Sequence, residues 1–305
     1  MAPDSCFNAL LADRRNELRP LPVHMLSDLR RGNRTFLIQA PTPPIYAIEN
    51  FSVATPGGPI AVRAYRPSNA PNLPSTLYCH GGGFVAGDLE THDALCRSLA
   101  LSSNCTVFAV EYRLAPETRF PGPVHDCHRV LTWLSDNAAT LGIDGARLAA
   151  CGDSAGANLA VAAALLARES GPRLRHLGLI YPITDAACDT HSMRAFASGY
   201  LLTRAAMQWF WSLYLEGPAD ASNPLASILR ADVSCLPPAT VLTAQFDPLR
   251  DEGELFAERL RAADISVATR RFDGMIHGFV GMPHVTPMAG SAIEFLGASL
   301  RSALL

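Results

Sequence analysis

The sequence predicts an α/β chain built on a mostly parallel central sheet, with helices on both faces and a helical cap. Three observations lead there. From residue 50 onward, short runs rich in Val, Ile and aromatics alternate with longer helical patterns, as crossover connections between parallel strands require. An apolar run ending at Cys151 passes almost at once into an alanine-rich helical stretch. The 305 residues are 49% hydrophobic, enough to bury a large core, and no linker interrupts them. Residues 1–305 are therefore expected to form a single domain.

The elements follow in order. "FSVAT" at 51 and "IAVRAYRP" at 60 flank the turn "PGGP" and predict an antiparallel pair. Strands are then expected at 75–80, 105–112, 147–153, 176–182, 239–245 and 266–273, and helices at 91–102, 124–140, 155–169, 251–264 and 287–303. Residues 1–48 and about 183–225 break the alternation. They are predicted to cap the carboxyl ends of the strands, with "QWFWSLY" at 208–214 as cap core more than a ligand cage.

Composition narrows the chemistry. A net charge of −3 provides no basic field for nucleic acid. All 25 Lys+Arg residues are arginine, which rules out Schiff-base lysines, a Walker-type phosphate lysine and a Ser-x-x-Lys nucleophile. The eight cysteines form no C-x-x-C pair and suggest small buried hydrophobes in a reducing compartment. Cys79 and Cys151, each ending a strand, are expected to be inert. The N-terminal stretch does not read as a secretory leader, and the apolar run "LAVAAALLA" is too short to span a membrane. A cytoplasmic protein without membrane insertion is expected.

Gly152-Asp153-Ser154-Ala155-Gly156 is a G-x-S-x-G pentapeptide between that apolar strand and its helix. The flanking glycines permit a sharp turn that projects Ser154 Oγ from the sheet edge, at a helix N-terminus that favours developing negative charge. A simple N-cap serine is the plainer alternative. "HGGGF" follows the strand at 75–80, and three successive glycines are costly unless bare peptide must approach something closely. An oxyanion site needs N–H donors from the residue after the nucleophile and from such a loop. Gly82, Gly83 and Ala155 are the candidates.

A serine nucleophile needs an imidazole base oriented by a carboxylate. His277, in "DGMIHGF", follows the last strand; His284 in "GMPHV" is the rival, while His176 begins a strand and His191 falls in the cap. Asp247 directly follows "ATVLTAQ", so it is the candidate acid, with a turn carboxylate as the alternative. Asp251 and Glu252 suit the first turn of a helix. His125 and His128 share a helix face without a third metal ligand.

Taken together, "HGGGF" at 80–84, "EYRLAPE" at 111–117, "GDSAGANLA" at 152–160, "DPLRDEG" at 247–253 and "HGF" at 277–279 make the chain resemble the hormone-sensitive-lipase-like (bacterial family IV) carboxylesterases of the α/β-hydrolase fold. The resemblance implies a serine esterase acting on short- to medium-chain esters through a Ser154–Asp247–His277 triad, with Phe84 at the substrate and no cofactor or metal. It also implies a homodimer through the last edge strand, although Arg270 and Arg271 there would discourage edge pairing. The motifs leave open an amidase or arylesterase using the same triad. A non-catalytic small-molecule receptor on this fold would lack the histidine that "IHGF" supplies.

Overall fold

A computed structural model describes residues 2–305. Among them, eight strands form one sheet: β1 (Ala47–Val53), β2 (Ile60–Arg66), β3 (Leu73–Cys79), β4 (Thr106–Val110), β5 (Ile143–Asp153), β6 (His176–Ile180), β7 (Ala239–Phe246) and β8 (Val267–Ile276). Their spatial order is β1-β2-β4-β3-β5-β6-β7-β8. β2 runs antiparallel to β1 and β4, and every later pairing is parallel. The eight expected strands are all present. β4 and β6 are buried at every position, as strands covered on both faces must be.

Among the described residues, ten α-helices accompany the sheet: α1 (Asn8–Ala12), α2 (Leu26–Leu37), α3 (Asp93–Ser103), α4 (Gly122–Asp136), α5 (Ala155–Ser170), α6 (His191–Ala195), α7 (Arg204–Tyr214), α8 (Pro218–Ser222), α9 (Arg250–Ala262) and α10 (Met288–Leu304). One face of the sheet buries Leu77, Phe108, Leu179 and Val241 with Val130, Leu159 and Phe256 of α4, α5 and α9. The other buries Tyr78, Val107, Ile180 and Leu242 with Leu99 of α3 and Leu296 of α10. Among the described residues, no helix is long and apolar enough to cross a membrane.

Two boundaries differ from expectation in ways that matter. α4 ends at Asp136, four residues early, where the Asn137 N–H turns back to the Trp133 carbonyl. β8 continues to Ile276 instead of stopping at Asp273. Gly274 carries the strand through at φ +76°, and its N–H donates to Gln245 Oε1 at 2.7 Å. The β7–β8 register shifts between Ala244 and Phe246, so that Phe246 pairs with Ile276. A bulge of this kind re-aims the residues that follow it.

Residues of α1, α2 and α7 lie over the carboxyl edge of the sheet, where they meet the loops after β3, β5 and β8 around one cavity. Thr203 caps α7 by accepting from the Ala206 N–H, satisfying a donor that the helix start leaves unpaired.

Candidate active site

Strand register assembles the site. Cys79 pairs with Gly152, and Asp153 with Ile180, so the chain segments leaving β3 and β5 emerge side by side. Phe246 opposite Ile276 makes Asp247 and His277 the first residues beyond adjacent strand ends.

Ser154 stands between β5 and α5 with φ +54° and ψ −118°. For a residue with a Cβ this is strained, at a cost of about 1–3 kcal/mol that surrounding contacts must offset. The Ser154 N–H donates to Ile180 O at 2.8 Å, and Ser154 O accepts from Ile183 N at 3.2 Å. Asn158 Nδ2 ties the neighbouring segments together through Ile183 O at 3.1 Å and Ala226 O at 2.7 Å. A Cβ on Gly156 would meet the backbone of Cys79 and His80, which is why the helix can start so close to β3.

His277 Nε2 lies 3.0 Å from Ser154 Oγ, and its Nδ1 lies 2.8 Å from Asp247 Oδ2. Asp247 is fully buried, and its other oxygen accepts from the Leu249 N–H at 2.8 Å. The Tyr181 ring packs on the imidazole with centroids 4.6 Å apart. The rival His284 instead packs edge-on against Phe36, and His176, at the far end of β6, contacts Thr240 Oγ1 at 2.9 Å.

Gly82 and Gly83 have φ of +125° and +63°. The N–H groups of Gly82, Gly83 and Ala155 donate no hydrogen bond to any described residue, whereas the neighbouring Gly81, Val85 and Ala86 N–H groups are engaged. The Phe210 ring sits directly over Gly83.

Behind this loop lies a polar cluster that the motifs did not disclose. Asp153 Oδ1 accepts from Tyr78 OH at 2.8 Å and from the Gly81 N–H at 2.9 Å, and lies 3.2 Å from His92 Nε2. Burial raises the Asp153 carboxyl, but His92, Tyr78 and His80 outweigh it and hold the group below its ordinary range. His80 stacks on Tyr112, whose hydroxyl donates to His80 O at 2.7 Å; burial first, then His92, pushes its imidazole down to about 4. Asp153 belongs to the pentapeptide, yet nothing local indicates that its partners come from β3 and the start of α3.

The cavity has a volume of about 1100 Å³ and reaches Ser154, His277, Gly82 and Gly83. Phe84, expected at the substrate, requires correction. It is fully buried, its ring stacks on Tyr214 at 4.0 Å, and it is absent from the cavity wall. Its φ of +66° turns the side chain beneath the loop and into the core. "QWFWSLY" divides similarly: Phe210 faces the cavity, while Trp211 and Tyr214 join the core.

Asp251 accepts from the Ser192 N–H at 2.7 Å. Glu252 stands with Asp251 in the first turn of α9, as the sequence predicts, and is buried there, its Oε1 accepting from the Thr184 N–H at 2.6 Å. Among the described residues, no group of three or more His, Cys, Asp or Glu is placed to hold a metal ion.

A family model for the α/β-hydrolase fold matches residues 76–281. The chain is 38% identical over 273 residues to the carboxylic ester hydrolase LipN of Mycobacterium tuberculosis, covering 87% of this chain and 73% of that one. It is 37% identical to an ethyl acetate hydrolase of Pseudomonas putida, with 99% of each covered. A hyperthermophilic esterase from Pyrobaculum calidifontis superposes with a TM-score of 0.95 at 38% identity, covering 99% of both chains. Fold, motif order and these likenesses agree: the chain belongs to the hormone-sensitive-lipase-like carboxylic ester hydrolases of the α/β-hydrolase fold.

Proposed function

We propose that this chain hydrolyses short- to medium-chain carboxylic esters through an acyl-enzyme on Ser154. The observation that carries the proposal is the continuous contact from Ser154 Oγ to His277 Nε2, at 3.0 Å, and from His277 Nδ1 to Asp247, at 2.8 Å, beside three N–H groups without acceptors. Ser154 Oγ attacks the ester carbonyl carbon as His277 Nε2 takes its proton, and buried Asp247 holds the ring in the orientation that leaves Nε2 free to accept. The carbonyl oxygen becomes an anion facing Gly82, Gly83 and Ala155, where loss of a single donor typically costs about 3–4 kcal/mol. The C–O bond to the leaving alkoxide breaks, and the imidazolium protonates that oxygen. Water then attacks the acyl-serine with His277 as base, and the proton returns to Ser154 Oγ as the carboxylic acid departs.

The cavity volume of about 1100 Å³ leaves space beyond a butyrate ester, which supports the medium-chain end of the range. Ser154→Ala should abolish turnover of p-nitrophenyl butyrate while retaining the wild-type circular dichroism spectrum. In the wild type, rapid mixing should give a burst of p-nitrophenol. Full activity in the variant would overturn the assignment.

A further inference from the structure

The inner face of α2 carries one residue out of keeping with its neighbours. Leu29, Gly32, Asn33, Phe36 and Leu37 line the cavity, a spacing that places them on one side of the helix. Four of the five are apolar or lack a side chain; Asn33 is an amide. Its Oδ1 is buried with no hydrogen-bond partner. Nine other described residues also bury an unpartnered side-chain polar atom, and none of those lines the cavity. The remaining amide on the wall, Asn16, is engaged: its Nδ2 donates to Leu10 O at 2.8 Å.

The helix that carries Asn33 is held in place from both sides. On one side, Arg30 Nε donates to Val85 O at 2.8 Å and Arg30 Nη2 to Ala115 O at 3.0 Å. On the other, Arg34 pairs with Asp88 at 2.9 Å. Both anchors lie in or beyond the glycine loop and fix the rotation of α2 about its own axis. Phe36, one turn on, is held against His284.

An amide oxygen shut off without a partner costs free energy, and a ligand that supplies the missing bond recovers it. Rotation about χ2 exchanges its carbonyl and NH2 ends, so it can offer either an acceptor or a donor. A hydroxyl, being both, satisfies either end. Building on the ester-hydrolase proposal, we infer that Asn33 forms a polar subsite selecting esters that carry a hydroxyl group away from the scissile carbonyl, on the acyl or the alcohol side.

The test compares kcat/KM within matched pairs: p-nitrophenyl 3-hydroxybutyrate against p-nitrophenyl butyrate for the acyl side, and glyceryl monobutyrate against propyl butyrate for the alcohol side. In the wild type, one hydroxylated ester should be favoured over its partner. Asn33→Leu should lower that ratio roughly tenfold, the yield of one well-made neutral hydrogen bond, and Asn33→Ser should restore part of it. The pair that responds identifies the side. Effects on folding or on overall rate cancel in the ratio, and the serine variant gives the same comparison should the leucine variant be recovered unfolded. Ratios within twofold of wild type in both pairs, or equal losses for both members of a pair, overturn the subsite and leave a merely hydrated or structural amide. A wild type that turns over none of the four esters, with Ser154 unlabelled by a fluorophosphonate, overturns the hydrolase proposal and the subsite with it.

Discussion

Replacing Asp153 with asparagine keeps the shape of the side chain and removes its charge, which isolates what the cluster behind the glycine loop contributes. Asp153 Oδ1 receives Tyr78 OH and the Gly81 N–H at 2.8 and 2.9 Å and faces His92 Nε2 at 3.2 Å. Hydrogen bonds to a charged acceptor are worth roughly 1 kcal/mol more than those to a neutral one. Three weakened contacts therefore amount to about 3 kcal/mol, divided between global stability and the anchoring of Gly81. Gly82 and Gly83 follow immediately, so the anchored peptide aims the proposed oxyanion donors. Complete loss of one donor sets a ceiling near 3–4 kcal/mol; a loosened loop should forfeit about half of that, roughly 10- to 30-fold in kcat.

An interaction felt mainly in the transition state lowers kcat and leaves KM nearly unchanged. Steady-state kinetics on p-nitrophenyl acetate, normalised by fluorophosphonate titration of Ser154, reads this directly. Thermal unfolding should show a Tm lowered by roughly 2 °C. If Asp153→Asn keeps kcat within twofold of wild type, the cluster does not position the loop and the reasoning fails. A raised KM at unchanged kcat would refute it equally, since that outcome belongs to ground-state binding.

Three further outcomes are expected. Gly156→Ala places a Cβ against the Cys79 and His80 backbone, which cannot rotate away; overpacking of about 1–3 kcal/mol should lower both the urea midpoint and kcat, and an unchanged midpoint would show that the close contact is relaxed without cost. Burial pushes Glu252 up to about 8 from an ordinary 4.5, so the native state holds a proton that the unfolded chain releases, and stability falls as pH rises through that window. Glu252→Gln keeps an acceptor for the Thr184 N–H and should gain on wild type between pH 5 and 8 in urea unfolding, whereas parallel profiles would place the titration elsewhere. Burial pushes His176 down to about 4 from 6.5, so between those values the unfolded chain binds a proton that the native chain refuses, and stability is lost as pH falls. His176→Gln should remove up to about 1.4 kcal/mol per pH unit from that acid slope, with His80 still contributing its own share.

Much of the fold was legible because its determinants are local. Strands such as "TVFAV" and helices such as α5 announce themselves by residue type, periodicity and the glycines between them, and those preferences act within a few positions. Ser154, Asp247 and His277 stood out because each follows an apolar run, and parallel strands deliver such positions to the same edge. Phe84 misled for a complementary reason: a side chain's direction depends on its φ, and +66° is not encoded in the letters around it.

By itself, then, the sequence determined the architecture, the order of the elements and which residue types reach the carboxyl edge of the sheet, since hydrophobic period and turn chemistry are short-range properties. Only the tertiary structure decided which of those residues touch. The bulge that sets Phe246 opposite Ile276, the burial of Glu252, the approach of His92 to Asp153 and the unpartnered amide of Asn33 all depend on strand register and helix rotation. Those are settled by packing the whole core at once, among residues far apart in the chain.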